Sequence, residues 1–166
     1  SLTQILVYVK DSSVAQQEIA QVLKVLRRRG LETTVIRYGR YSRKLYRESL
    51  QECQAVVWLG GKETQCLAQF EAWSMNRPTL VRAVGDSGNT PRRSAFGTDN
   101  TSSPETVNLA FESPHLTAAT GARWKSLEEL IHLVDAHRAG TYHPRDWILL
   151  HGTDVKAAES YLQLHE

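Results

Sequence analysis

Cysteine is scarce in this chain of 166 residues, which contains only Cys53 and Cys66. Two cysteines this far apart in the sequence, with no pair of histidines near them, match neither a disulfide framework nor a zinc-binding spacing. We therefore expect reduced, partly buried thiols and no metal site. Long apolar runs are missing as well, since the longest, Ala55 to Leu59, is much too short to cross a bilayer.

An excess of charge of either sign is also missing, because 20 Lys and Arg residues face 18 Asp and Glu residues and leave a formal net charge of +2. Nothing in this balance predicts a nucleic-acid partner. The chain does not open with a basic stretch followed by an apolar segment, so no signal peptide is expected and a cytoplasmic location is predicted. A hydrophobic content of 41% is typical of a soluble globular protein, and residues 1–166 are expected to form a single domain.

The first half of the sequence alternates short apolar runs with segments of helical spacing. Strands buried on both faces give continuous apolar runs, whereas amphipathic helices repeat apolar residues every three or four positions. The alternation predicts an α/β fold, a three-layer Rossmann-like domain with a mainly parallel sheet of about five strands and helices on both faces. Strands are expected at 4–9, 33–38, 55–59 and 79–84, with helices between them at 12–30, 42–53 and 63–75.

The second half breaks this rhythm. Residues 85–112 are rich in Gly, Ser, Thr, Asn and Pro, and they predict a long loop of a length typical of functional lids or disordered segments. A weak strand follows at 122–124 and a helix at 126–138, which opens with a capping-box sequence. A last helix is expected at 153–164.

In open parallel sheets, ligands bind in the crevice beyond the carboxyl ends of the strands. Glycines and cations occupy those ends in this sequence: Lys10 follows the first strand, Gly39 and Arg40 the second, and Gly60 the third. The start of the next helix adds free backbone donors, so the segment 60–66 could hold a phosphate. Neither a glycine-rich dinucleotide fingerprint nor a P-loop accompanies it.

Two glutamates, Glu63 and Glu71, lie at the start of the third predicted helix and two turns along it. At a rise of 1.5 Å per residue their axial separation is about 12 Å, too far for the carboxylates to share a proton. They could instead hold hydroxyl groups at opposite ends of an elongated ligand. The alternative is structural: Glu63 complements the helix dipole, and Glu71 is solvated or paired with a neighbouring arginine.

Several of these segments together resemble the donor-binding domain of the GT-B glycosyltransferases, within the large retaining group whose signature is Glu, seven residues, Glu. The resemblance covers most of residues 4–82 and, more loosely, 113–164, where Pro144–Trp147 and the helix after it look like the tail of small transferases of this group. The segments that carry it most clearly are Thr34–Gly39, Tyr46, Ala55–Trp58, Glu63, Phe70–Met75 and Pro78–Val81.

The resemblance implies the donor half of an enzyme that binds a nucleoside-diphosphate sugar and transfers its glycosyl group to an acceptor. Glu63 would contact the donor sugar and Glu71 the ribose, while Lys62 would stabilise the departing diphosphate, a form of electrostatic catalysis. The catalytic residues that it implies are therefore Glu63 and Lys62. It implies neither a metal nor a cofactor, because the nucleotide sugar is itself the substrate.

Other positions would bind the donor, with backbone amides after Glu63 receiving the diphosphate and the end of the second strand lying beside the base. A GT-B enzyme has two Rossmann-like domains, so the resemblance also implies an acceptor domain elsewhere in the native chain or in a partner chain. Cys66 and Arg77 depart from the pattern, because glycine is common at both positions in the family. The donor-binding residues implied are Lys10, Gly39, Arg40, Tyr41, Thr64, Gln65, Cys66 and Glu71.

A basic stretch at 24–47 supports a different hypothesis, a noncatalytic α/β binding or interaction module. In this stretch nine lysines and arginines face a single acid, Glu32, and interleaved tyrosines could stack on bases. The stretch could therefore bind RNA or an anionic membrane surface. A solvated face explains the same pattern, because the cations at 27–29 are favoured by the dipole at a helix C-terminus.

Overall fold

The computed structural model describes residues 3–60, 67–83, 113, 115–138 and 140–153 of the chain. No helix within these ranges is long and apolar enough to cross a bilayer. The strands are β1 (Gln4–Val9), β2 (Glu32–Arg37), β3 (Cys53–Leu59), β4 (Thr79–Arg82) and β5 (Gly121–Trp124). The helices are α1 (Gln16–Arg28), α2 (Arg43–Glu52), α3 (Leu67–Ser74), α4 (Leu127–Arg138) and α5 (Pro144–His151).

All pairs of neighbouring strands are parallel, and the strand order is β2-β1-β3-β4-β5. The predicted α/β fold with about five parallel strands is therefore confirmed. The order 2-1-3-4-5 is the flavodoxin-like arrangement of a doubly wound sheet, whereas the dinucleotide-binding Rossmann fold has the order 3-2-1-4-5-6. It places β1 between β2 and β3, at the point where the connections change from one face of the sheet to the other.

Side-chain alternation along β1 and β3 divides the core in two. Because both strands are buried on both faces, their sequences are continuous apolar runs, as is typical of inner parallel strands. One core packs against α1 and α4, and the other against α2 and α3. The first core contains Ile5, Val7, Val9, Ala55, Val57 and Leu59 of these strands, and the second contains Leu6, Tyr8, Cys53, Val56 and Trp58.

Hydrogen bonds hold both ends of α2. At its start the Ser42 hydroxyl accepts a hydrogen bond of 3.1 Å from the Leu45 N–H, which satisfies one of the free amides of the first turn. At its end the Arg77 guanidinium donates to the carbonyl oxygens of Leu50 and Gln51, at 2.8 and 3.3 Å. Polar contacts at both ends therefore fix the position of α2 along the sheet.

The start of α1 differs from the prediction. The sequence places a cap at Ser12 or Ser13, yet the helix begins at Gln16 after Ala15, whose side chain cannot cap it. The reason is local, because the Asp11 carboxylate accepts a hydrogen bond of 2.8 Å from the Ser13 N–H. Such a turn gives this segment an alternative to helical hydrogen bonding, so the helix starts later.

The predictions for β5 and α4 are confirmed, including the cap of α4. The Ser126 hydroxyl accepts a hydrogen bond of 3.1 Å from the Glu129 N–H. In return the Glu129 carboxylate accepts from the N–H of Lys125, one residue earlier than in the usual capping box.

The sequence pattern does not predict α5, a helix of only 8 residues with Pro144 in its first turn, a position that proline favours. The predicted loop at 85–112 lies outside the described residues. The same holds for 63–66 of the third predicted helix and, apart from Thr153, for the predicted helix at 153–164.

Strands β4 and β5 approach closely at Gly121. A Cβ atom on Gly121 would lie 2.0 Å from the Thr79 carbonyl oxygen. The indole nitrogen of Trp124 donates to the Leu80 carbonyl at 3.0 Å, and that of Trp73 donates to the Thr79 hydroxyl at 3.2 Å. A side chain at this position would therefore displace buried backbone that two tryptophans hold in place.

We expect Gly121→Ala to lower the free energy of unfolding by about 3 kcal/mol or more, because the new methyl group overlaps a buried carbonyl oxygen. Gly140→Ala is the matched control: the residue has a φ of +84°, but no atom of the other described residues lies within 4 Å of the added Cβ. Backbone strain alone should then cost about 1 kcal/mol. Urea unfolding compares the two variants, and equal losses of stability would contradict the close approach.

His137, near the end of α4, is partly buried. Burial lowers the pKa of its imidazole below the ordinary value; the Gln54 backbone opposes the shift, and the Arg77 guanidinium adds to it. Its Nδ1 atom is buried and has no hydrogen-bond partner within the described ranges. The folded protein therefore disfavours the protonated form of His137.

This shift has a consequence for the pH dependence of stability. Below about pH 6.5, the ordinary pKa of histidine, the unfolded chain binds a proton that folded His137 resists, so stability falls as the pH decreases toward the lower folded-state pKa. Above that pH the contribution is fully present. We expect His137→Gln to lose less stability than the wild type between about pH 7.5 and pH 5.5 in urea unfolding. His132→Gln, at an exposed position of the same helix, serves as the control for losing a histidine. A His137→Gln profile identical to that of the wild type would contradict the lowered pKa of His137.

Candidate functional site

A cleft of 1030 Å³ opens at the carboxyl-end edge of the sheet, on the face that α2 and α3 cover. In doubly wound sheets this edge is where ligands bind. The lining residues come from the end of β1, the turn after β2, and helices α2 and α3. The aromatic ones are Tyr8, Tyr38, Tyr41, Tyr46 and Phe70, and the charged ones are Lys10, Arg43, Arg47 and Glu71.

Three tyrosines and Trp58 form a continuous aromatic cluster at the back of the cleft. Tyr8 stacks on Trp58 with ring centroids 4.2 Å apart. The two residues are register partners on β1 and β3, so parallel pairing puts both rings on the same face of the sheet. Tyr41 and Tyr46 contact the Tyr8 ring at centroid distances of 5.8 and 5.6 Å. Because the other three are buried, Tyr41 is the member of the cluster that a ligand can reach.

The hydroxyl groups of these tyrosines bind within the protein. The hydroxyl oxygens of Tyr8 and Tyr41 lie 2.9 Å apart, and the Tyr46 hydroxyl donates to the Ala68 carbonyl at 2.7 Å, which links α2 to α3. Burial, with a smaller contribution from the neighbouring tyrosines, raises the pKa of Tyr46 well above its ordinary value. Tyr46 is therefore neutral at physiological pH and contributes packing and a structural hydrogen bond.

Helical spacing brings one face of α2 to the cleft. Arg43, Tyr46, Arg47 and Leu50 are three and four positions apart and therefore share that face. Tyr46 and Leu50 are buried against the sheet, whereas both arginines are exposed at the cleft. A single helix face thus supplies both apolar packing and positive charge.

Cations lie close to the aromatic rings and to a carboxylate. The Lys10 ammonium is 4.0 Å from the centroid of the Tyr38 ring, a cation–π contact. The Arg43 guanidinium donates through Nη2 and Nε, at 2.8 and 3.2 Å, to the same carboxylate oxygen of Glu71. The alternative in which Glu71 pairs with an arginine is therefore the one that the structure bears out.

The basic stretch at 24–47 is distributed over two helices and the edge strand β2. Its residues 24–28 lie on α1, where three of them line a shallow pocket of 490 Å³, whereas Arg43 and Arg47 lie on α2. Since α1 and α2 cover opposite faces of the sheet, these charges are on opposite sides of the domain. The stretch therefore presents its cations on both sides of the domain, and the hypothesis of an RNA- or membrane-binding module stays a prediction.

Four of the predicted binding residues, Lys10, Gly39, Tyr41 and Glu71, meet at the cleft. Arg40 does not line it, and its backbone N–H closes a turn onto the Arg37 carbonyl. The predicted catalytic pair and its neighbours fall in a segment outside the described residues, and they are Lys62, Glu63, Thr64, Gln65 and Cys66.

Sequence reasoning missed Tyr8, Arg43 and Arg47 as residues of the site. Tyr8 has a signal, because it is an aromatic residue with a polar group near the carboxyl end of an otherwise aliphatic strand. The two arginines are four positions apart and follow a serine cap, which places them at the beginning of a helix. Only the strand order shows that Tyr8 and the two arginines belong to one cleft.

No group of three or more His, Cys, Asp or Glu side chains that could hold a metal ion occurs among the described residues. Cys53 is a buried free thiol, and burial raises its pKa to about 11. It is therefore protonated at neutral pH and inert as a nucleophile. Cys53 is thus a free thiol as expected, but it is fully and not partly buried, while Cys66 lies outside the described residues.

Comparison with known proteins finds no matching family model and no matching curated protein. Among solved structures, the chain matches the crystal structure of a diflavin flavoprotein A3 from Nostoc sp.. The two sequences are 16% identical, the alignment covers 90% of this chain and 95% of the other, and the TM-score is 0.42.

The predicted membership of the GT-B glycosyltransferases is wrong, because the matching solved structure is a flavoprotein and no glycosyltransferase model or curated protein matches. The same finding contradicts glycosyl transfer from a nucleotide sugar and the expectation that no cofactor is bound. The fold agrees with this correction, since the strand order is 2-1-3-4-5 and not that of the dinucleotide-binding Rossmann fold. Glu71, to which the resemblance assigns a ribose, pairs with Arg43.

We expect Tyr46→Phe to lower the free energy of unfolding by about 1 kcal/mol, because the partly buried Ala68 carbonyl loses its donor. Tyr38→Phe is the matched control. The Tyr38 residue is 59% exposed, and removing its hydroxyl should change stability by less than about 0.5 kcal/mol. Urea unfolding measures the stability of both variants. If Tyr46→Phe were as stable as the wild type, the hydrogen bond between α2 and α3 would contribute nothing to the free energy of unfolding.

Proposed function

We propose that the cleft binds a flavin, whose planar ring system packs against Tyr41 and the neighbouring Tyr38. The observation that carries the proposal is a tyrosine-lined wall at the carboxyl edge of a sheet with the order 2-1-3-4-5. Flavodoxin-like sheets bind flavin mononucleotide at this edge, at the switch point between β1 and β3. Since a fold hosts many functions, the residues of the cleft must support the ligand by themselves.

The position of the cleft residues in the fold supports a flavin site. The Lys10 N–H donates to the Leu59 carbonyl at 2.8 Å, which ties the end of β1 to the end of β3. Next to it, a Cβ atom on Gly60 would lie 2.8 Å from the Asp11 backbone nitrogen, so the two chain segments are in close contact. Lys10 thus lies at the switch point and also lines the cleft, which extends from there toward α2 and α3.

The chemistry of the tyrosines that line the cleft supports a flavin site as well. A flavin presents a large planar π-system, and stacking of a heteroaromatic ring on a protein aromatic contributes about 1–3 kcal/mol. The hydroxyls of Tyr8, Tyr41 and Tyr46 are bonded to each other or to backbone, which leaves the Tyr41 ring as the feature that this cluster offers to a ligand. The cleft volume of 1030 Å³ lies near the upper end of the range of about 300–1,000 Å³ for small-molecule sites. The residues present therefore fit a ligand of this size and shape.

A bound flavin supplies one-electron and hydride chemistry. The residues of this chain bind and orient its ring: Tyr41 is backed by Tyr8 and Trp58, so its position is set by the core. Because these backing rings are buried, the ring face that contacts the wall is kept from water.

Fluorescence titration with flavin mononucleotide tests this proposal. We expect saturable quenching of flavin emission by the wild-type chain, and we expect Tyr41→Ala to weaken binding by about tenfold or more through loss of the stacked ring. Tyr41→Phe keeps the ring and should bind within about threefold of the wild type. Tyr142→Phe removes a hydroxyl in the other core and should leave the affinity unchanged.

Two results would count against a flavin site. One is the absence of quenching by the folded wild-type chain at any protein concentration. The other is an affinity of Tyr41→Ala equal to that of the wild type, which would place the flavin away from the tyrosine wall. A loss of affinity in Tyr142→Phe as large as in Tyr41→Ala would show that the effect is general destabilisation.

A further inference from the structure

The charged residues that line the described part of the cleft do not balance. Lys10, Arg43 and Arg47 are positive, and Glu71 is the negative one among them. The excess of two positive charges lies beside an aromatic wall that is itself uncharged. Such a wall needs no cations to bind a neutral ring, so the charges point to a second, anionic part of the ligand.

The geometry of Arg43 shows what kind of anion fits. Both donors on one edge of its guanidinium, Nε and Nη2, are directed to an oxygen of Glu71. A guanidinium presents the same pair of donors to a phosphate, which it binds with two parallel hydrogen bonds. Arg47 lies one turn further along the same face of α2, so two guanidinium groups are available on one side of the cleft.

The contact between Arg43 and Glu71 is an exposed one. The side chains are 81% and 33% exposed, so solvent screens the pair and its contribution to stability is small. A ligand can therefore displace Glu71 without unfolding any part of the domain. Near neutral pH a phosphate monoester carries close to two negative charges and a carboxylate carries one, which favours the phosphate in this exchange.

We propose that Arg43 and Arg47 form the binding site for a phosphate monoester group, and that Glu71 occupies the Arg43 donors when no ligand is bound. Resting on the proposed flavin site, this inference selects flavin mononucleotide over riboflavin. Glu71 then acts as an internal competitor of the ligand and not as a contact to it. Removing its charge should tighten binding of the phosphorylated ligand, which is the opposite of what a hydroxyl-binding carboxylate would do.

Titrations of the full chain with flavin mononucleotide, riboflavin and inorganic phosphate test the inference. We expect the wild type to prefer flavin mononucleotide to riboflavin by about tenfold or more, and Arg43→Gln to lose most of that preference. Glu71→Gln should bind flavin mononucleotide and phosphate more tightly, on the order of threefold to tenfold at low salt, and riboflavin with unchanged affinity. The gain should shrink as the ionic strength rises.

Glu48→Gln is the matched control, because it removes one carboxylate from the same region without touching the cleft lining. Glu48 is exposed on α2 and pairs with Lys44. If the affinity for flavin mononucleotide rose as much in Glu48→Gln as in Glu71→Gln, the change in net charge alone would explain the effect. That result would overturn the inference. Weaker binding of flavin mononucleotide by Glu71→Gln would also overturn it, since Glu71 would then contact the ligand.

The three ligands separate this inference from the proposed function. If riboflavin binds as tightly as flavin mononucleotide in every variant, the flavin site stands and the phosphate site is overturned. If neither flavin binds but inorganic phosphate does, and binds more tightly to Glu71→Gln, the phosphate site stands and the flavin site is overturned. If none of the three ligands binds to the folded wild type, both are overturned.

Discussion

The stacking of Tyr8 on Trp58 is the contact on which the cleft depends. The two residues are register partners on β1 and β3, and both rings point to the face that α2 and α3 cover. Aliphatic side chains at these positions would fill the core equally well, but they would not extend an aromatic surface toward the cleft. The stacked rings continue outward to Tyr41, and they also provide the surface against which Tyr46 and its helix pack. The packing of this core therefore determines the aromatic surface that a ligand meets.

Helix α2, which packs on this core, brings charged side chains to the cleft. Its buried Tyr46 reaches across to the Ala68 carbonyl of α3, which fixes the distance between the two helices. With this distance fixed, Arg43 at the start of α2 meets Glu71 on α3, although the two are 28 positions apart in the sequence. Core packing, the bond between helices and the ion pair at the cleft are thus successive consequences of one arrangement of strands.

Much of the fold could be predicted from the sequence because its signals are local. Continuous apolar runs predict β1 and β3, and the capping sequence that begins at Ser126 predicts α4. The short α5 has no comparable periodicity, and the start of α1 depends on a turn that Asp11 forms with its own neighbours. Only part of the site could be predicted, because it depends on strand order. The spacing of Glu63 and Glu71 concerns one predicted helix alone. It gives no information about Arg43, which α2 brings to Glu71 from an earlier part of the chain.

The hydrogen bonds at both ends of α2 have a consequence for how a ligand enters. With Ser42 holding one end and Arg77 the other, the backbone that carries Arg43 and Arg47 is already in place before binding. The adjustment left to Arg43 and Arg47 themselves is a change of side-chain rotamer, which occurs in picoseconds to nanoseconds at exposed positions. A ligand that binds these arginines therefore requires no movement of the α2 backbone, and its association with them is expected to depend on diffusion and orientation. At α2 the expected entropic cost is that of ordering two long side chains.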